Sequence, residues 1–86
     1  MIEAYVLIKI TAHKEHHGFG RTVIEKLRKI QGVETAELLF GDYDAIINLK
    51  VHKIHDCENL ILEEISMIDG VETTATLLCI DEGILE

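Results

Sequence analysis

Apolar and polar residues alternate over the first ten positions of the chain. Ala4, Val6, Ile8 and Ile10 fall on one side, and Glu3, Tyr5, Leu7 and Lys9 on the other. A period of two sends successive side chains to opposite faces of a strand, so this stretch predicts a first strand starting at residue 2. From about residue 19 to 31 the period becomes helical, with Phe19, Val23, Ile24, Leu27 and Ile30 on one stripe. Gly20 falls in that stripe and allows a close approach to the sheet, and Gly32 ends the helix in the left-handed conformation glycine tolerates. A second strand over about 34–40 runs into the hairpin signal Phe40-Gly41-Asp42-Tyr43, and a third covers 44–51. Asp56 is placed to cap a second helix over about 57–68. Gly70 closes it, and a last strand follows over about 71–80 before a short acidic tail.

The second helix carries a conflict. On an α-helical wheel Cys57, Leu60, Ile61, Ile65, Met67 and Ile68 form the buried face, yet Glu64 sits inside that stripe. Leu62 projects to the opposite side, as an ordinary exposed leucine or as a contact between dimers.

The pattern is written twice. Residues Glu3 to Ile10 align with Asp44 to Val51 at an offset of 41, and Gly32-Val33-Glu34-Thr35 with Gly70-Val71-Glu72-Thr73 at an offset of 38. The first half therefore holds extra residues between strand and helix, in the His-rich stretch near 11–18. Two β-α-β halves joined by a hairpin make an α+β ferredoxin-like β-α-β-β-α-β sandwich, one domain over residues 1–86. Right-handed crossovers put both helices on one face of a four-stranded antiparallel sheet. The open face then presents Tyr5, Leu7 and Ile46, with further apolar residues expected from the second and fourth strands. A bare apolar face marks an interface, and two sheets stacked as a homodimer, a dimeric α/β barrel, would bury it.

Composition sharpens this picture. A chain of 86 residues has a thin core, yet 48% of it is apolar and only 5% aromatic, a surplus that an interface would absorb. The net charge of −8 opposes direct nucleic-acid binding and an anionic membrane surface. No apolar run exceeds five residues, far below the ~18 that span a bilayer, and Glu3 and Lys9 do not suit a signal peptide. Two cysteines, Cys57 and Cys79, build no disulfide framework, and no CxxC occurs, which fits a reducing cytoplasm.

Candidate chemistry is sparse. His13-x-x-His16-His17 has ligand-like spacing, but His52 and His55 follow the third strand, at the other end of a subunit, and a solvated loop is the simpler reading. Cys57 lies on the apolar stripe with no evident activating base, and no GxSxG, HExxH or phosphate-binding glycine loop is present. Neither an enzyme, a cofactor nor a metal site is expected. One constellation remains: Gly41-Asp42-Tyr43-Asp44, followed in the last strand by Thr74-Ala75-Thr76. Hairpin amides can hold a carboxylate, the two aspartates an ammonium, and the hydroxyls of Thr74 and Thr76 either one. That set suits a zwitterion; an ordinary turn and an ordinary strand read the same way.

Gly41-Asp42-Tyr43-Asp44, the alternating strand, the helix ending Ile68-Asp69-Gly70-Val71, and Thr74-x-Thr76 before an apolar run together resemble the effector-binding (RAM) domain of the Lrp/AsnC feast/famine transcription regulators. The resemblance spans essentially the whole chain. It implies a ferredoxin-like fold dimerising through its sheets, assembly of four dimers in a ring, and a small effector, usually an amino acid, bound between dimers. Gly41, Asp42, Tyr43, Asp44, Thr74 and Thr76 then become candidate effector contacts, and Tyr5, Leu7 and Ile46 the dimer face. Full-length members of that family begin with a helix-turn-helix domain that this sequence lacks, and their loop after the first strand is shorter and poorer in His than residues 13–20 here. The expectation is a stand-alone effector module, with full-length Lrp/AsnC regulators as possible partners. Two other classes share the architecture: a small dimeric α/β-barrel enzyme such as a monooxygenase, whose His or Asn/Trp machinery is not evident, and an ACT-like amino-acid-binding module whose sheets pair side by side.

Overall fold

A computed structural model describes residues 1–11 and 19–79, with backbone only for Phe19. The His13–His17 group and the acidic tail lie outside the described residues. Strand β1 spans Ile2–Ile10, helix α1 Phe19–Arg28, β2 Val33–Leu38, β3 Ala45–Val51, α2 Ile54–Asn59 and β4 Val71–Leu78, and α2 runs on into a π-helical stretch, Leu60–Ile65. The strands form one sheet in the order β2-β3-β1-β4, every neighbouring pair antiparallel. This is the β-α-β-β-α-β sandwich that the doubled pattern predicts.

Strand period and register set the core. Ala4, Val6 and Ile8 of β1 and Ala45, Ile47, Leu49 and Val51 of β3 are buried, joined by Ala36 of β2. Val23, Ile24 and Leu27 of α1 and Cys57, Leu60 and Ile65 of the second helix close over them. The repeat survives in detail. Gly32 and Gly70 take φ values of 100° and 104°, and in each following turn a valine amide reaches back three residues: Val33 N–H donates to Ile30 O and Val71 N–H to Ile68 O, both at 3.1 Å. Gly20 does stand close to the sheet, since a Cβ there would lie 3.2 Å from Leu38 Cδ2.

Several boundaries differ from the sequence pattern. Helix α1 ends at Arg28, and Lys29 and Ile30 donate three residues back to Lys26 O and Leu27 O, a tightened last turn that keeps the apolar stripe going to Ile30. The second helix begins at Ile54 with Lys53 as its N-cap, which makes no side-chain capping bond. Asp56 is therefore not the cap but an acid inside the first turn, favourably placed at the positive end of the helix dipole.

The conflict at Glu64 is resolved by the π turn. Ser66 N–H donates to Ile61 O, five residues back, at 2.9 Å. The wider turn takes Glu64 out of the apolar face while Ile65 stays on it, and Ile65 is fully buried while Glu64 is exposed. Met67, expected on the buried face, is 75% exposed because the helix has ended before it.

The open face also departs from expectation in one strand. Across β3 from Ile46 and Asn48, β2 presents Glu37 and Thr35, whereas β4 supplies Ala75 and Leu77 opposite Leu7 and Tyr5. The register Ala36–Ile47 turns the apolar residues of β2 to the helix side. The anticipated apolar contribution therefore comes from β4 alone. The free edge of β2 is occupied in part: Arg28 donates from Nε and Nη2 to Ala36 O at 3.2 and 2.8 Å, which blunts that edge against further pairing.

Candidate functional site

The Gly41–Asp44 segment is the loop between β2 and β3. Leu39 N–H donates to Asp44 O at 2.8 Å and closes a four-residue connection, Phe40–Tyr43. Phe40, Gly41 and Asp42 are exposed, and nothing lies within 4 Å of where a Cβ on Gly41 would be. Tyr43 is half-buried, with Lys9 Nζ 6.0 Å from its ring centre. Asp44 faces inward. Its amide donates to Ile8 O at 2.9 Å, and its carboxylate Oδ2 accepts the Ile10 amide at 2.8 Å.

Thr74 and Thr76 pair across β1 with Ile8 and Val6, so both stand on the helix side of the sheet, at its β4 edge. Ile8 also pairs with Ala45, the residue after the hairpin. The hairpin root and Thr74 therefore flank β1 at the same end of the sheet, two strand spacings or about 10 Å apart. Thr76 lies two residues further along β4. Within one subunit the six candidate effector residues line one end and one edge rather than converge.

The three residues of the open face do come together. Leu7 sits directly opposite Ile46, and Tyr5 is next to it opposite Asn48. Tyr5 remains 40% exposed and Leu77 55%, a bare apolar strip down the middle of the face. Asn48 was missed by pattern reasoning: it is buried on this face and donates from Nδ2 to Glu3 Oε2 at 3.0 Å. A lone amide inside the apolar run of β3 was the available signal. For the tie between Asp44 and Ile10, 34 residues apart, the sequence held none.

An open cleft of about 580 Å³ lies at the other end of the sheet, between the Gly32 turn, the end of β3 and the second helix. Lys50 and His52 border it together with the acids Glu34, Asp56, Glu63 and Glu64, and none of the six candidate residues does. Among the described residues no group of His, Cys, Asp and Glu is arranged to hold a metal ion. Cys57 and Cys79 are both free thiols. Burial first, and the neighbouring Glu58 second, push the Cys57 thiol pKa upward, away from the thiolate that nucleophilic chemistry requires. No helix among the described residues is long and apolar enough to cross a membrane.

A family model described as the Lrp/AsnC ligand binding domain matches residues 3–84. Among curated proteins, an uncharacterised HTH-type transcriptional regulator of Pyrococcus abyssi is 32% identical over 56 residues, 65% of this chain and 35% of that protein. A second such regulator, from Pyrococcus horikoshii, is 30% identical over 56 residues, with the same shares covered. The matched stretch thus spans about a third of the length of these relatives. Among solved structures, a hypothetical protein of Pyrococcus horikoshii is similar at a TM-score of 0.80 and 29% identity, over 95% of this chain and 93% of that one. The fold is also that of AsnC from E. coli, at a TM-score of 0.81 and 20% identity over 99% of this chain and 54% of that one. A transcriptional regulator of Neisseria meningitidis solved as an L-Met complex shares it at a TM-score of 0.79 and 17% identity, over 94% and 51%.

Proposed function

The chain belongs to the Lrp/AsnC ligand-binding-domain family, and from that premise we propose that it is an effector-sensing module that binds an amino acid where copies of the chain meet. The observation that carries this reading is the divided site. The hairpin Gly41, Asp42, Tyr43 and Asp44 and the hydroxyls of Thr74 and Thr76 lie at one end and one edge of the subunit, with the hairpin root and Thr74 about 10 Å apart. A second copy set against that end supplies the missing wall. Backbone amides of the hairpin and the threonine hydroxyls then take the carboxylate, and Asp42 takes the ammonium.

Assembly follows from the bare strip. Two copies stack their open faces through Tyr5, Leu7 and Ile46, with Ala75 and Leu77 from β4, and the dimers join further, as a tetramer of dimers, through the hairpin ends. A chain of net charge −8 reaches an operator through a full-length Lrp/AsnC regulator rather than by contacting DNA itself. The setting is the cytoplasm, and the role is regulatory rather than catalytic. The Neisseria regulator's L-Met complex, a likeness of fold, makes amino acids the first class to screen.

Thermal-shift measurement against the twenty standard amino acids, paired with sedimentation mass, tests the proposal. A ligand at about 100 times its Kd stabilises by ~2.7 kcal/mol, and in a domain of this size that raises the melting midpoint by on the order of 10 °C. Asp42→Asn and Thr76→Val remove the shift and leave the unliganded midpoint in place. A monomer that responds to none of the twenty overturns the reading.

A further inference from the structure

Two consecutive amides at the end of β1 hold both halves of the divided site. Ile10 N–H donates to Asp44 Oδ2, and Thr11 N–H donates to Gly70 O, each at 2.8 Å. Asp44 belongs to the hairpin, and Gly70 is the turn from which β4 runs to Thr74. The register of β1 against β4 shifts between Lys9 and Ile10, which interrupts the regular ladder at this point. The backbone oxygen of Asp44 is already taken by Leu39 N–H. The side chain, not the backbone oxygen, takes the part-buried Ile10 amide, and a carboxylate is a stronger acceptor than a carbonyl.

We propose that Asp44 is a positioning residue rather than an effector contact: its carboxylate clasps the hairpin to the end of β1, so that the hairpin and the Gly70 turn are held as one body through Ile10 and Thr11. Asp44 differs in this from Asp42, which is exposed at the loop. The consequence for ligand binding rests on the function proposed above; the clasp itself does not. An amino acid that seats between hairpin and β4 of neighbouring copies then meets a pre-set distance between them, and loosening Asp44 weakens binding without removing any group that touches the ligand.

Residue-resolved amide hydrogen exchange on the wild type, Asp44→Ala and Asp44→Asn tests the clasp directly. Alanine removes the acceptor, and exchange at Ile10 and Thr11 accelerates by roughly 10- to 100-fold. Asparagine keeps an oxygen in the same place, so both amides stay slow. The same three proteins are then screened by thermal shift against the twenty standard amino acids. An amino acid that shifts the wild type also shifts Asp44→Asn and fails to shift Asp44→Ala. Unchanged protection of Thr11 in Asp44→Ala overturns the coupling. Loss of the shift in Asp44→Asn with Ile10 still protected makes Asp44 a direct contact and overturns the positioning role. If Asp44→Ala does not fold, the Asp44→Asn results decide, by retention or loss of Ile10 protection. If no amino acid shifts the wild type, the proposed function fails, and the exchange data alone still decide the clasp.

Discussion

Gly32 shows two constraints meeting at one residue. Its φ of 100° is left-handed, and a Cβ added there would lie 2.8 Å from Leu60 Cδ1. Gly32→Ala therefore loses about 1–2 kcal/mol to backbone strain and forces Leu60 to move. In a domain of this size the melting midpoint falls by roughly 4–16 °C, measurable by calorimetry. Gly20→Ala meets only the end of Leu38, which is 49% exposed and free to turn outward, so its loss is smaller than that of Gly32→Ala in the same experiment. The glycine was readable in the sequence because it follows an apolar stripe that must stop; Leu60 as its neighbour was not, since that contact joins residues far apart in the chain. Asp44 repeats the lesson. A polar residue at a hairpin was expected, but the Ile10 amide it serves is specified by the sheet register and not by any local pattern.

At the scale of elements the π-helical stretch is the informative departure. A purely α-helical wheel leaves Glu64 in the apolar face and buries Met67, whereas with the i to i+5 bond from Ser66 to Ile61 Glu64 and Met67 are exposed and Ile65 stays buried. Ile65→Ala is accordingly expected to cost about 2–5 kcal/mol, as for other fully buried aliphatic side chains. Met67→Ala, at an exposed position, changes stability by less than about 0.5 kcal/mol. In denaturant titration the Met67 variant separates the two helical registers, since only the α-helical one buries that residue, and Ile65→Ala serves as the buried reference. The misplaced acid was the visible sign that a regular α-helix would fail there, and core packing chose how it failed. The first helix and strands β1 and β3 followed their periods, because each has one face to bury and the alternation says which.

On the scale of the whole molecule the question is what covers the open sheet face. Leu7 and Ile46 face each other at its centre, with Tyr5 and Leu77 beside them and the polar Glu37 and Thr35 along the β2 side. If two copies stack there, Leu7→Asp places an unpaired carboxylate in the middle of the interface, which strongly opposes stacking. Sedimentation velocity should then find single subunits at concentrations where the wild type is a dimer, with the far-ultraviolet spectrum of the fold retained. A wild type already monomeric at high concentration refutes the stacked dimer.

What the sequence alone determined is the architecture. Its doubled strand-helix-strand pattern, two glycine stops and alternating strands leave one economical way to bury the apolar positions, and the family resemblance rests on that same order of motifs. Tertiary structure decided the distances. It split the candidate effector residues across β1, turned the apolar side of β2 towards the helices, and gave the Asp44 carboxylate to an amide 34 residues away. Local periodicity says which face a residue takes, because the backbone imposes that residue by residue. Which residues meet across the sheet depends on register and packing, and these are properties of the folded whole.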